Sequence, residues 1–270
     1  MNVYYTGLFV TFLINVLCAL SVYVILKSGQ ISVGNAGFMA VGGYVAGILS
    51  TVYGLGIPVS VAAGSAAAAL CGAVVGVPAL RLKGTYLVIG TISFTAMIRS
   101  IAQVLNITGG AMGLKGMKRI GIMWIVIFVV LVIALLFLFE KTRYGLDVEA
   151  VAADSEAAAA AGVRVILIKV LSFTLGAAIA GIAGGCYAHW TQYIEPGDFS
   201  TSVSTMMVLP VILGGRNRIA GAVLGAAVFT ILPELLRFAS VWRMVIYGVL
   251  VIAIVIVKPD GLISGRKRHA

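Results

Sequence analysis

Long apolar runs, each interrupted by a short polar or glycine-rich stretch, dominate the chain. They predict helical segments over about 7–26, 33–53, 58–80, 84–105, 120–139, 166–188, 201–215, 218–236 and 244–257. A helix crossing the hydrocarbon core needs about 20 residues. The segments 201–215 and 244–257 are short for that, so each is expected to be re-entrant or to end inside protein rather than lipid. The expected fold is all-α, a polytopic transmembrane helical bundle of about 8–10 spans. It forms a single domain over 1–270.

The apolar rhythm fails once, over 140–169. This island is too polar for hydrocarbon, yet its alanines favour helix. At helical spacing Val148, Val151 and Ser155 form a stripe flanked by Ala152 and Ala159. Asp147 and Asp154 flank it on one side, Glu149 and Glu156 on the other. Two readings fit: a docking helix for a soluble partner, or a solvated helical connector.

Composition fixes the class. Apolar residues make up 61% of the chain and charged residues 10%, with a mean hydropathy of +1.12. Soluble domains run at roughly 45–50% apolar and about 25% charged. The start carries no positive region before its first apolar run, so no cleaved signal peptide is expected. Cys18, Cys71 and Cys186 sit in separate apolar runs with neither pairing nor metal-ligand spacing.

Charge sets an orientation. With nine alternating spans, 13 of the 19 Lys and Arg residues share the side of the polar island. Only five (Lys115, Lys118, Arg119, Arg237 and Arg243) fall on the other side, and Arg99 lies within a span. The positive-inside rule then makes 140–165 a cytoplasmic loop, with the N-terminus outside and the C-terminus inside. The net charge of +10 reads as topology and attraction to anionic lipid, not as a nucleic-acid footprint.

Four G-x-x-x-G pairs, Gly43/Gly47, Gly72/Gly76, Gly181/Gly185 and Gly221/Gly225, predict close helix crossings. Polar residues within spans include Asn15, Asn35, Thr91, Ser93, Arg99 and Gln103, with Ser32 in the glycine-rich turn just before one. They either line a watery path or hydrogen-bond between helices; Arg99 also lies near a span end, where it can snorkel. No chain of intramembrane acids exists to relay protons. No H-E-x-x-H, G-x-S-x-G or G-x-x-x-x-G-K-[ST] occurs. The chain is thus read as a non-enzyme with no metal site and no cofactor of its own.

Four stretches carry a resemblance. Gly29 to Tyr44 reads G-Q-I-S-V-G-N-A-G-F-M-A-V-G-G-Y, and Pro78 to Tyr86 reads P-A-L-R-L-K-G-T-Y. The latter continues to T-G-G-A-M-G-L at Thr108 to Leu114. The loop from Tyr144 to Gly162 follows, then L-G-G-R-N-R-I-A-G-A-V-L-G-A from Leu213, L-P-E-L-L from Leu232 and K-P-D-G-L from Lys258. In this order they resemble the permease subunits of branched-chain amino acid ABC importers, whose relatives move sugars, urea and short amides. The P-A-L-R-L and P-E-L-L pieces favour the M-type permease over the H-type.

The resemblance implies a permease subunit in the bacterial inner membrane, moving branched-chain amino acids or related small polar solutes. A second permease subunit would complete a heterodimer. Two ATP-binding subunits would burn ATP with Mg, and an extracytoplasmic binding protein would deliver solute near 106–119 and 189–200. Ser32, Asn35, Thr91, Ser93 and Arg99 are the path candidates. Tyr144, Gly145, Asp147, Glu149, Val151, Asp154, Glu156 and Gly162 are the candidates for coupling to the ATPases, with Gly162 ending the helix. Three departures stand out. Asn35 replaces a frequent His, Ala96 a frequent Glu, and Leu146, Glu149 and Ala152 stand where arginines are common. A stand-alone carrier or channel, and a structural or enzymatic membrane subunit, stay open as other readings.

Overall fold

The computed structural model describes residues 3–79, 84–216 and 218–235, with a few positions between 246 and 261. Most of the expected span 244–257, the basic tail and the stretch 80–83 lie outside the described residues. The helices are α1 (Val3–Lys27), α2 (Asn35–Thr51), α3 (Ile57–Ala79), α4 (Thr85–Val104) and α5 (Ile122–Lys141). Then come α6 (Arg143–Ala153), α7 (Ser155–Ala160), α8 (Val165–Thr191), α9 (Thr201–Gly214) and α10 (Ile219–Leu235). Two-residue strands β1 (Leu114–Lys115) and β2 (Tyr193–Ile194) pair antiparallel between the helices.

Five helices, α1, α3, α4, α5 and α8, are long and apolar enough to cross a membrane. Six spans result if α9 and α10, bent by 119° at their junction, count as one. The expected 8–10 spans therefore fall to five or six by this measure among the described residues. The reason is length. α2 has 17 residues, α9 has 14 and α10 has 17, and α2 is buried over most of its length, so protein replaces lipid around it.

α1 is the central post: 72% of its apolar window is buried, against 28% for α4 and 22% for α5. The α2–α3–α8 wall beside it closes through glycines. A side chain on Gly42 would strike the backbone of Gly181, and one on Gly184 the Met39 carbonyl. Such backbone approach is how membrane helices associate where lipid removes the hydrophobic drive. Three of the four spaced pairs face a neighbouring helix, and Gly221/Gly225 meet backbone atoms alone. Gly72 and Gly76 face Ala177 and Phe173, Gly181 and Gly185 face α3, and Gly221 and Gly225 face the backbone of Gly214 and Pro210. Gly47 differs from its partner Gly43, meeting Leu114 and Met117 of the α4–α5 connection rather than a helix.

The chain ends of α1 and α5 meet α6–α7 and the start of α8 at one face. The α2–α3 turn, residues 106–120 and residues 189–200 gather at the opposite face.

Candidate functional site

At the first face the polar island folds as two helices rather than one. The expected continuous helix breaks at Asp154, whose backbone is extended (φ −155°, ψ 111°). Its side chain instead caps α7, Oδ1 accepting from the Glu156 N–H at 2.8 Å and the Ala157 N–H at 3.1 Å. Aspartate disfavours helix interiors because it captures such donors, which makes it a good N-cap. These two donors also hold its carboxyl below the usual carboxylate range.

Gly162 (φ +88°) ends α7 as the spacing predicts. The Gly162 N–H reaches the Ala159 carbonyl and the Val163 N–H the Ala158 carbonyl, both at 3.0 Å, which is the Schellman pattern. Val148, Val151 and Ala158 bury together against Ile168 of α8, while Ser155 is half-buried and Ala152 and Ala159 are exposed. The Tyr144 hydroxyl donates to the Ile168 carbonyl at 2.8 Å, and its ring packs on Phe139. Gly145 is buried at the α5–α6 turn, where a side chain would overlap the Glu140 backbone. Leu146, Ala150, Ala153, Glu156 and Ala157 face outward.

One charged residue links this loop to the central post. Lys27 Nζ lies 2.6 Å from Glu140 Oε1 and 3.4 Å from Glu149 Oε1. The Tyr23 hydroxyl donates to the same Glu140 oxygen. The acidic departure at Glu149 thus has a partner within the chain, which the sequence did not reveal because Lys27 and Glu149 belong to distant segments.

The five path candidates divide into two groups. Ser32, Asn35 and Thr91 are buried at the α1–α2 break. The Asn35 amide donates to Ser21 Oγ at 3.0 Å, Ser32 Oγ to Asn35 Oδ1 at 3.4 Å, and the Val33 N–H to Thr91 Oγ1 at 3.1 Å. The Ala36 N–H, one of the orphan donors that open any helix, finds Ser204 Oγ at 3.0 Å. Gln30 Nε2 reaches the Lys169 carbonyl at 3.0 Å. Ser21 and Ser204 complete this network; in sequence they are isolated polar residues with no spacing signal. Ser93 and Arg99 lie elsewhere, on the exposed face of α4 with Ser100 and Gln103. None of the five lines the cavity of about 490 Å³ between α1, α2, α8 and α9, whose wall includes Asn15 and Asp198.

At the opposite face the α4–α5 and α8–α9 connections are stapled together. Leu114 pairs with Ile194 and Lys115 with Tyr193. The Ile120 N–H donates to the His189 carbonyl at 3.1 Å, and His189 Nδ1 lies 2.9 Å from the Lys118 carbonyl. Arg119 stacks over Trp190 at 5.0 Å. Gly113 (φ +73°) allows the crossing, since a side chain there would strike the Ile194 carbonyl.

Comparison with known proteins gives these surfaces a context. Residues 4–255 match the family described as branched-chain amino acid transport system, permease component. The high-affinity branched-chain amino acid transport system permease protein LivM of Escherichia coli is 28% identical over 87% of this chain and 64% of its own length. The chain thus spans a little under two thirds of that relative. The probable LivM of Methanocaldococcus jannaschii is 28% identical over 71% of this chain and 64% of its own length. The fructose import permease protein FrcC of Rhizobium meliloti is 28% identical over 89% of this chain and 73% of its own length. No solved structure matches. A helical, multi-pass membrane protein matched over nearly its whole length, the chain belongs to the family of branched-chain amino acid transport system permease components.

Proposed function

We infer that this chain is the membrane-spanning permease subunit of an ABC importer for branched-chain amino acids or related small polar solutes such as urea and short amides. Separate ATPase subunits drive it. The observation that carries this reading is the α6–α7 element: two short helices between membrane spans, clamped to α8 through Val148, Val151, Ala158 and Tyr144, with Leu146, Ala150 and Ala153 turned outward. A solvated connector needs no such packing; a handle that receives force does. ATP and Mg belong to the partner ATPase, and the chain itself catalyses nothing.

The lysine and arginine bias favours α6–α7 in the cytosol of a bacterial cell, with the N-terminus outside and the C-terminus inside. The stapled loops 106–120 and 189–200 then face outward as a firm seat for an extracytoplasmic binding protein. Ser93, Arg99, Ser100 and Gln103 are exposed on a span that also exposes much of its apolar surface. Hydrocarbon solvates such groups poorly. A second permease subunit, completing a heterodimer, covers that face and leaves a polar seam for solute. Ser93 and Arg99 are its path residues. Ser32, Asn35 and Thr91 shape the break behind it.

The test is reconstitution. Proteoliposomes holding this chain, the second permease, the ATPases and the binding protein should take up radiolabelled leucine only with ATP. Leucine flux from this chain alone would instead favour a stand-alone carrier or channel. Fructose uptake in place of leucine would move the substrate toward that of the Rhizobium meliloti relative.

A further inference from the structure

We propose that Lys27 is the positioning residue that transmits movement of α6 to the central helix α1, through an anchor it keeps with Glu140 and an arm it makes and breaks with Glu149. The proposal rests on reading α6–α7 as the partner-facing handle. The two ion pairs differ in kind. The Lys27 and Glu140 side chains are only 12% and 26% exposed and lie 2.6 Å apart, and the Tyr23 hydroxyl donates to the same carboxylate. Glu149 is 64% exposed, and its oxygen lies 3.4 Å away.

A shielded, doubly donated carboxylate holds its lysine in place, whereas a solvent-facing partner contributes little and separates readily. Lys27 is the last residue of α1. Pinned to Glu140, it stays at the end of the central post while α6 moves. The backbone supports the same route, because Gly29, just beyond α1, lies against Ala152 of α6 so closely that a side chain would have to displace it. The remaining contacts of α6–α7 run to α5 and α8 through Phe139, Tyr144 and Ile168. The Lys27 arm is thus the ion-pair link from α6 to α1 among the described residues, with the Gly29 contact beside it. Glu149, acidic where the family often carries arginine, serves this internal arm and not the ATPase surface.

Glu149→Gln removes the arm and keeps the shape. In the full reconstituted complex it should leave ATPase co-purification unchanged and lower the solute moved per ATP by about 1.5- to 5-fold, the range an exposed ion pair commands. Raising salt from about 0.1 M to about 1 M, which shortens the Debye length from about 10 Å to about 3 Å, should pull the wild-type ratio toward that of Glu149→Gln and leave the variant's ratio flat. In a Lys27→Met background, Glu149→Gln should have no further effect, and Lys27→Arg should keep the wild-type ratio. Loss of ATPase binding in Glu149→Gln, or an unchanged solute-to-ATP ratio, would overturn the proposal.

A readout independent of transport separates its failure from failure of the permease reading. Spin labels at Ile31→Cys and Ala150→Cys, with Cys18, Cys71 and Cys186 replaced by alanine, should give one narrow distance in the wild-type background. Glu149→Gln should broaden it. An identical distribution in both would also overturn the proposal.

Discussion

The α1–α2 break and the exposed face of α4 both carry polar residues, with opposite fates. At the break, Ser32, Asn35 and Thr91 are buried and bonded to Ser21 and to freed backbone groups. On α4, Ser93, Arg99, Ser100 and Gln103 stand exposed. A polar group inside a membrane is satisfied either by its own chain or by water and partners outside it. If the proposed solute seam holds, the first region serves folding and the second transport, and substitutions should separate them.

The largest effect belongs to the break. A side chain on Gly34 would overlap the backbone of Thr91, so Gly34→Val should cost at least about 1–3 kcal/mol. Little folded protein should survive size-exclusion chromatography in detergent. Asn35→Ala comes next, since it strips a partner from Ser21 and Ser32. A buried group left unpaired costs about 1–3 kcal/mol, readable as a lower thermal midpoint in detergent; an unchanged midpoint would erase the contrast.

Arg99→Gln should reverse the pattern. Its thermal stability should stay within about 0.5 kcal/mol of wild type, while ATP-driven uptake falls several-fold. A stability loss matching that of Asn35→Ala would place Arg99 with the folding residues.

The smallest effect is at Asp154. Its carboxyl is held below the ordinary value of 3.8 by two backbone donors. A depressed folded-state pKa means the cap is fully present above the usual carboxylate range and is lost as pH falls through the depressed value. The protection of the α7 amides, taken relative to their intrinsic exchange rate at each pH, should therefore fall on acidification in the wild type. In Asp154→Asn, which keeps the capping oxygen without the charge, it should stay level.

Much of the scaffold was legible in the sequence, for physical reasons. Apolar runs of membrane length placed α1, α3, α4, α5 and α8 within a few residues, because hydrocarbon forces every backbone group in a span into helix. Gly162, at positive φ, marked a helix end. The α6–α7 break was not legible, because alanine spacing outvoted one aspartate whose capping role depends on local geometry. The Glu149 partner was hidden for another reason: nothing in spacing couples a loop acid to Lys27. The split among the path candidates was hidden too, since which side of α4 faces protein depends on helix packing that sequence periodicity did not resolve.

The account turns on α6–α7 facing the cytosol as the handle of the permease. Place a single cysteine at Ala157, an exposed position of α7, in the protein with Cys18, Cys71 and Cys186 replaced by alanine, and treat sealed vesicles of both orientations with a membrane-impermeant maleimide. The account predicts labelling in inside-out vesicles and none in right-side-out ones. Labelling from the external medium alone would contradict it.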